Sequence, residues 1–320
     1  MTQVPFNLEF TNTLRAQTQP GLIQLKSFTL LSCEGPDAAQ FLQGQLTCDI
    51  ESLQTAGGGL NTASLGSCCT PQGRMISAFH IAKLSPTHFW LFLPKANYES
   101  CFNHLKKYSI FSKVTLAENP DNEDIYGLIT ASGNSPIQHR DTELKIFPLQ
   151  DINSQLYIMT CPHNHEVEMP SIHLTEEFWR LGLMLSGLPL FDETISGEYL
   201  PADLHFDDLG GVSYNKGCYT GQEPIARMHF KGKAKFMCQL ASWPKNEFNN
   251  DSAILMNEEK KGQIVQFIST ENEIVGLIRI RIDCYDQLEQ NALYISGFQE
   301  KAELLNLAYN KNIVQKNELA

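Results

Sequence analysis

Three features of this sequence predict an α+β fold followed by a small all-β unit. Strand-like and helix-like segments alternate through the first two thirds of the 320 residues. After about Lys235 the pattern changes to short strand-like segments separated by polar turns. The length favours two or three domains, since domains commonly contain about 100–200 residues. The apolar runs are far shorter than the ~20 residues that a membrane-spanning helix needs.

The first lobe is predicted to have the order β-α-β-β-α-β. Five strand-like segments, one more than this order has strands, are expected at residues 22–32, 63–69, 75–83, 88–93 and 113–117. Gly35-Pro36-Asp37 is typical of a helix start, and a second helical stripe passes through Tyr98, Phe102 and Leu105. Pro71-Gln72-Gly73-Arg74 has the chemistry of a hairpin turn. This order is that of a ferredoxin-like lobe.

A second lobe is expected after the polar, acidic segment 119–124. Strands are predicted at residues 125–130, 144–147 and 155–160. A helix is predicted at residues 175–185, and Gly187 is placed to end it. Later strands at 236–241, 263–268 and 274–282 indicate a barrel, because closure removes exposed edges. We therefore predict an N-terminal region of two lobes over residues 1–235 and a C-terminal β-barrel over 236–320.

Charge and cysteine content restrict the class of protein. The chain has 24 Lys plus Arg and 36 Asp plus Glu, hence a formal charge of −12, and such a chain repels phosphate except at a local basic patch. Its nine cysteines form no CxxC pair, which favours a reducing compartment. The first ten residues lack the pattern of a signal peptide. We expect a cytoplasmic protein.

The segment from Gly210 to Lys235 carries the densest chemical pattern. Thr220 and Glu223 have the spacing of a capping box, which predicts a helix that begins near Gly221. Cys218 would then lie just before a helix N-terminus and two residues from Lys216, where the helix dipole and an ammonium favour the thiolate. The residues alone leave open whether Cys218 is a reactive thiol or a cysteine packed under a turn.

A basic run follows Cys218 on an otherwise acidic chain. It consists of Arg227, Lys231, Lys233 and Lys235, with His229 among them. It is either a solvated face or an anion site for a polyglutamate tail, a phosphate or RNA.

Residues 216–223 read KGCYTGQE, residues 41–49 read FLQGQLTCD, and residues 69–74 read CTPQGR. These three segments resemble those of the YgfZ-type folate-binding proteins, which are relatives of the glycine-cleavage T-protein. The resemblance extends over about residues 20–300 and is weakest at 120–170 and in the predicted barrel. It implies two ferredoxin-like lobes and a barrel in a ring around a central folate site.

The resemblance also implies a function. The ligand would be tetrahydrofolate or another folate derivative, and the role would be to support iron–sulfur enzymes and tRNA modification. Iron–sulfur enzymes that thiolate tRNA are the implied partners, and whether the chain contacts tRNA directly stays open. We expect a monomer without a membrane partner.

The residues implied for the site fall into two groups. Lys216 and Cys218 match functional positions of the family, and Cys218 would act near the folate as a thiolate supported by Lys216. The implied folate-binding residues are Phe28, Trp179, Tyr219, Gln222, Glu223 and Arg227. Phe28 stands where bacterial relatives have tryptophan, so a ring is kept but the indole N–H is lost.

The alternative function is that of a tetrahydrofolate-dependent aminomethyltransferase, the T-protein activity. T-proteins carry paired aspartates in the hairpin where this chain has Ser77 and Ala78, and they lack the cysteine of the KGCY segment. Both differences favour the accessory role, because the general acid/base of the transferase is missing. If the chain has turnover, it would be a folate-dependent one-carbon transferase. A scaffold with structural folate is the third possibility.

Overall fold

The computed structural model describes residues 20–55, 63–130, 143–149, 156–167, 172–232, 234–245, 253–269, 273–285, 287, 292–296 and 301–305. They form two five-stranded sheets and a closed six-stranded barrel. The predicted α+β class with a C-terminal barrel is therefore confirmed. No helix among these residues is long and apolar enough to cross a membrane.

The first sheet has the strand order β3-β4-β5-β2-β6, and all its neighbouring strands are antiparallel. Its strands are β2 (Phe28–Glu34), β3 (Ala63–Cys69), β4 (Met75–Ser85), β5 (His88–Pro94) and β6 (Thr115–Glu118). Helices α1 (Ala38–Gln45) and α2 (Lys95–Tyr108) bury Leu42 and Leu105 in one cluster with Leu91 of the sheet. Strands β6, β2, β5 and β4 have the ferredoxin-like order, and β3 adds a hairpin partner at the edge.

The second sheet has the order β10-β1-β7-β9-β8. Its strands are β1 (Gly21–Gln24), β7 (Glu123–Ile129), β8 (Lys145–Pro148), β9 (Leu156–Pro162) and β10 (Ile172–His173), followed by helix α3 (Glu176–Leu185). The prediction of one strand over residues 22–32 is wrong. The Phe28 amide donates to the Leu25 carbonyl oxygen at 3.2 Å, and this turn sends β1 and β2 into different sheets.

The barrel closes in the order β11-β14-β13-β12-β15-β16. Its strands are β11 (Phe236–Pro244), β12 (Ala253–Met256), β13 (Glu259–Ser269), β14 (Glu273–Arg281), β15 (Leu293–Ile295) and β16 (Lys301–Leu305). Helix α4 (Gln222–Lys231) precedes it, and α5 (Ile282–Tyr285) is a single turn after β14.

One apolar core joins the three units. Phe92 of the first sheet meets Phe147 of the second with ring centroids 5.2 Å apart, and Leu277 of the barrel belongs to the same cluster. Because β1 lies in the N-terminal segment yet belongs to the second sheet, the lobes are not consecutive pieces of chain. The division at residues 119–124 and 235 stays a prediction.

Candidate functional site

Lysine 216 anchors the loop that carries the KGCY segment. Its Nζ donates to the carbonyl oxygens of Leu46 and Cys48, both at 2.7 Å. Leu46 is the C-cap of α1, where the carbonyl groups of a helix lack intrahelical partners and attract a cation. The loop is therefore tied to the end of a helix about 170 residues earlier in the chain.

Burial lowers the pKa of Lys216 from its usual value to about 8, and electrostatic interaction with Cys48, Asp49 and Glu51 partly offsets that effect. The ammonium also lies 5.1 Å from the centroid of the Tyr219 ring. The hydrogen bonds described for Lys216 Nζ go to main-chain oxygens. Its support of the Cys218 thiolate stays a prediction.

Two further contacts fix the same loop on α1 and β3. Thr47 is fully buried, and its hydroxyl donates to the Gly211 carbonyl oxygen at 2.6 Å and accepts the Ser67 amide at 2.9 Å. The Thr220 amide donates to the Gly44 carbonyl oxygen at 3.0 Å. Segment 41–49, which carries a second part of the resemblance, is thus the platform under the KGCY loop.

Helix α4 begins where the sequence predicts, but the predicted capping box is absent. Gly221 is the N-cap, with φ of +83°, and no side chain caps the helix. Thr220 uses its hydroxyl to donate to Gln45 Oε1 at 3.0 Å instead. Because the hydroxyl donates to this long-range partner, the spacing of Thr220 and Glu223 predicts the helix correctly but the cap wrongly.

Cys218 differs from the other cysteines in accessibility. All nine are free thiols within the described residues; Cys218 is exposed and the other eight are buried. Burial raises the pKa of Cys33, Cys69 and Cys238 to about 12. A thiol is nucleophilic as its thiolate, so these buried groups are poor nucleophiles. Cys218 is the cysteine that a solute or partner can reach.

The predicted folate-binding aromatics lie in the shared core. Phe28, Trp179 and Tyr219 belong to the cluster between the sheets, and Trp179 is fully buried on α3. Its ring packs on Gly127 of β7, where a Cβ atom would come within 2.5 Å of the indole. Among the described residues, neither Trp179 Nε1 nor Tyr219 Oη has a hydrogen-bond partner.

The remaining predicted residues lie on α4. Gln222 and Glu223 are in its first turn, and Arg227 lines a cavity of about 580 Å³. The other lining residues are Gln72, Arg74, Leu200, Pro224, Met228, Lys231 and Gly232. Arg74 is oriented by a hydrogen bond that its guanidinium donates to the Glu198 carbonyl oxygen. Three cations converge on one cavity, which is an arrangement suited to an anion.

Only part of the predicted basic run contributes to that cavity. Arg227 and Lys231 line it, whereas Lys235 is exposed after the helix and Lys233 lies outside the described residues. His229 stacks on Tyr214 with ring centroids 3.7 Å apart, and its Nδ1 lies 3.7 Å from Asp207 Oδ2. His229 is therefore part of an aromatic and acidic cluster and is not simply one more cation of the run.

Comparison with known proteins identifies the family. A protein of Photorhabdus laumondii named tRNA-modifying protein YgfZ is 30% identical over 251 residues, which are 73% of this chain and 74% of the relative. The chain belongs to the YgfZ family. The family's protein from Colwellia psychrerythraea is 28% identical over 253 residues, with 73% of this chain and 75% of the relative covered. No protein-family model matches the chain.

The fold of this YgfZ-family chain also has a solved counterpart. The glycine cleavage system aminomethyltransferase T from Bartonella henselae superposes with a TM-score of 0.71, covering 94% of this chain and 89% of that one at 14% identity. The T-protein-like architecture is confirmed, and an identity this low carries the fold alone.

Sequence reasoning missed His80, which lies on the same face of β4 as Ala78. It is almost completely buried, burial lowers its pKa to about 3, and its Nε2 has no hydrogen-bond partner among the described residues. Ser77 and Ala78 of the same strand are buried as well. Alternation along the strand could have placed His80 on the core face. The YgfZ-family chain thus has a neutral imidazole two residues from Ala78 on this strand.

Proposed function

We propose that this chain is a folate-binding accessory protein that supports iron–sulfur enzymes and tRNA modification, with Cys218 as its reactive group. The observation that carries the proposal is the exposure of Cys218, alone among nine cysteines, on the loop that the family shares. The loop is held on both sides, by Lys216 and by Thr220. Cys218 therefore lies on a fixed loop with its thiol accessible, which suits reaction with a partner molecule.

The role in tRNA modification is supported by the relatives' name, tRNA-modifying protein YgfZ. The free, mostly buried thiols suit a reducing compartment, and we propose the cytoplasm. Iron–sulfur enzymes that thiolate tRNA are the partners we propose, through the same resemblance of residues 216–223.

Two observations support folate as the ligand. The unpartnered Trp179 Nε1 and Tyr219 Oη are buried donors that the heteroatoms of a pterin would satisfy. Arg74, Arg227 and Lys231 have the charge that the glutamate carboxylates of a folate would need. When bound, folate supplies a carrier for one-carbon units. Phe28, Trp179 and Tyr219 would contact the ring, while Gln222, Glu223 and Arg227 would lie toward the tail.

Stacking on Trp179 has a structural cost. The indole is fully buried, so a pterin can reach it only if the side chains that cover it move. We therefore expect folate binding to be slower than simple diffusion into an open cleft and to quench tryptophan fluorescence.

Calorimetry with tetrahydrofolate and with its triglutamate form tests this proposal. Trp179→Phe keeps the ring and removes the N–H, so both ligands should bind more weakly. Arg227→Gln should weaken the triglutamate form more than the monoglutamate form. Lys26→Gln, an exposed charge on the turn between β1 and β2, serves as the control and should change neither. Absence of binding by the folded chain would refute the folate proposal.

The aminomethyltransferase alternative has a direct assay. With an aminomethylated carrier protein and tetrahydrofolate, we expect no turnover above background, because Ser77 and Ala78 supply no carboxylate. Robust turnover would reverse the order of the two functions.

A further inference from the structure

The turn that follows α2 presents two apolar side chains to solvent. Ile110 is 74% exposed and Phe111 is 97% exposed, both within residues 109–113, which we call the Phe111 turn. Phe111 has the largest exposed fraction of the four exposed large apolar side chains in the described part of the chain. Large apolar groups that are held in water commonly mark a contact surface.

The exposure of Phe111 is not the result of a loose backbone. The Ser112 amide donates to the Ser109 carbonyl oxygen at 2.9 Å, and the Ser109 hydroxyl donates to the Lys106 carbonyl oxygen at 3.0 Å. The Lys113 amide donates to Asp37 Oδ2 at 2.8 Å. These bonds fix the turn to α2 on one side and to the N-cap of α1 on the other.

The charged residues that lie close to Phe111 along the chain are lysines. Between Glu99 and Glu118 the only acidic or basic residues apart from His104 are Lys106, Lys107 and Lys113, and all three are exposed. Burial lowers the pKa of His104 to about 4, so this histidine is neutral at pH 7. The helix dipole accounts for lysines in the last turn of α2 but not for Lys113 beyond it. On a chain of charge −12, residues 100–117 contain no acidic residue, and the carboxylate described next to the turn is that of Asp37, which accepts the Lys113 amide.

We propose that the Phe111 turn binds an unpaired segment of RNA. One base would stack on Phe111, while Lys106, Lys107 and Lys113 contact the flanking phosphates. Proteins bind single-stranded RNA by this combination of an accessible ring and surrounding cations. The inference rests on the proposed role in tRNA modification and adds to it the surface by which tRNA is held.

An acidic protein fits the same surface less well. A standard protein interface buries about 800 Å² on each partner. An aromatic side chain supplies about 150–250 Å², and Ile110 cannot make up the difference. The area is small for a protein interface but sufficient for one or two bases, which gain their binding energy from stacking and charge.

Helix α1 relates the Phe111 turn to the KGCY loop. Asp37 at its N-terminus holds Lys113, and Gln45 at its C-terminus holds Thr220. Eight helical residues at 1.5 Å each separate these anchor points by about 12 Å. At about 3.4 Å per nucleotide, some four stacked nucleotides span that length.

Binding of a fluorescent, unmodified tRNA transcript to the full chain, followed by anisotropy at several salt concentrations, tests the proposal. Phe111→Ala should weaken binding about 5- to 150-fold, which corresponds to the 1–3 kcal/mol of one stacked base. Phe111→Trp should bind at least as well as the natural chain, and Phe111→Leu should be as weak as the alanine variant. Lys113→Gln should lower the magnitude of the slope of log K against log salt by about 0.7.

Two variants serve as matched controls. Tyr294→Ala removes another exposed ring, on the barrel, and Lys95→Gln removes an exposed charge at the opposite end of α2. Both should leave tRNA binding unchanged. Absence of tRNA binding at low salt, equal binding by Phe111→Ala, or full binding by Phe111→Leu would each overturn the proposal. A change from dimer to monomer in Phe111→Ala without an effect on tRNA would overturn it in favour of self-association.

The folate titration separates this inference from the proposed function. Phe111→Ala should lose tRNA affinity and keep its folate affinity, which supports a separate RNA surface. A chain that binds tRNA through Phe111 but binds no folate would support the surface and refute the folate role.

Discussion

Gly221 lies directly against Thr70. A Cβ atom on Gly221 would stand 2.5 Å from the Thr70 carbonyl oxygen, and the residue has a φ of +83°. The start of α4 is therefore pressed onto the β3–β4 hairpin, and two separate parts of the family resemblance meet there. This contact sets the position of the KGCY loop relative to the first sheet.

We expect Gly221→Ala to destabilise the chain by more than about 1 kcal/mol, because an L side chain at positive φ alone costs 1–2 kcal/mol and the Cβ atom also meets a carbonyl. Gly217→Ala, four residues earlier, is the control, since nothing lies within 4 Å of its added Cβ. Urea unfolding measures the free energy of unfolding of both variants. Equal stability of the two variants would show that the contact with Thr70 is easily relaxed.

Thr47→Val should destabilise the chain by about 2–4 kcal/mol. The change keeps the shape of the side chain but leaves the Gly211 carbonyl and the Ser67 amide without their buried partner. Thr115→Val, at an exposed position of β6, should cost less than about 0.5 kcal/mol. A Thr47→Val variant as stable as the Thr115 variant in urea would remove Thr47 from the support of the loop.

His80 should make the fold sensitive to acid. Its pKa is about 3 in the folded chain and about 6.5 when unfolded, so between these values the unfolded state binds more protons and stability falls as the pH falls. The loss for this group approaches about 1.4 kcal/mol per pH unit. In His80→Leu, the decline in urea stability from pH 6.5 to 4.5 should be smaller. The non-titrating control Thr115→Val should keep the natural slope, and an unchanged slope in His80→Leu would contradict the account.

Cys218 should react first among the nine thiols. It is exposed, whereas burial both shields Cys33 and Cys238 and raises their pKa to about 12. Brief treatment with iodoacetamide near neutral pH, followed by mass spectrometry of the peptides, gives the order of labelling. If Cys33 or Cys238 is labelled at the same rate as Cys218, Cys218 is not a selectively reactive thiol.

Sequence patterns within a few residues correctly predicted the hairpins and helices whose formation depends on turn and capping residues. The hairpin of β3 and β4 follows from Pro71 and Gly73, and the start of α4 near Gly221 follows from the spacing of Thr220 and Glu223. The break between β1 and β2 could not be read in the same way. Its turn contains Lys26 and Ser27 without glycine or proline, and the parallel pairing of β1 with β10 joins segments about 150 residues apart.

In the candidate site, too, local features could be predicted from the sequence and long-range contacts could not. The exposure of Cys218 agrees with a loop flanked by Gly217 and Gly221, which is a local property. Lys216 donates to carbonyl groups at the end of α1, and the spacing within residues 216–223 does not predict these acceptors. Side-chain spacing does not indicate which distant backbone carbonyl groups accept hydrogen bonds. The anchoring role of Lys216 is therefore visible only in the three-dimensional structure.

Rescue of a bacterial strain that lacks its own YgfZ-family protein tests the central claim most directly. The amount of thiolated nucleosides in its tRNA is measured by liquid chromatography and mass spectrometry after introduction of the natural chain, Cys218→Ser or Gly217→Ala. The serine variant keeps the shape and loses the nucleophile, whereas the alanine variant changes the same loop and keeps the thiol. We predict that the natural chain and Gly217→Ala restore thiolation and that Cys218→Ser does not; full restoration by Cys218→Ser would contradict the account.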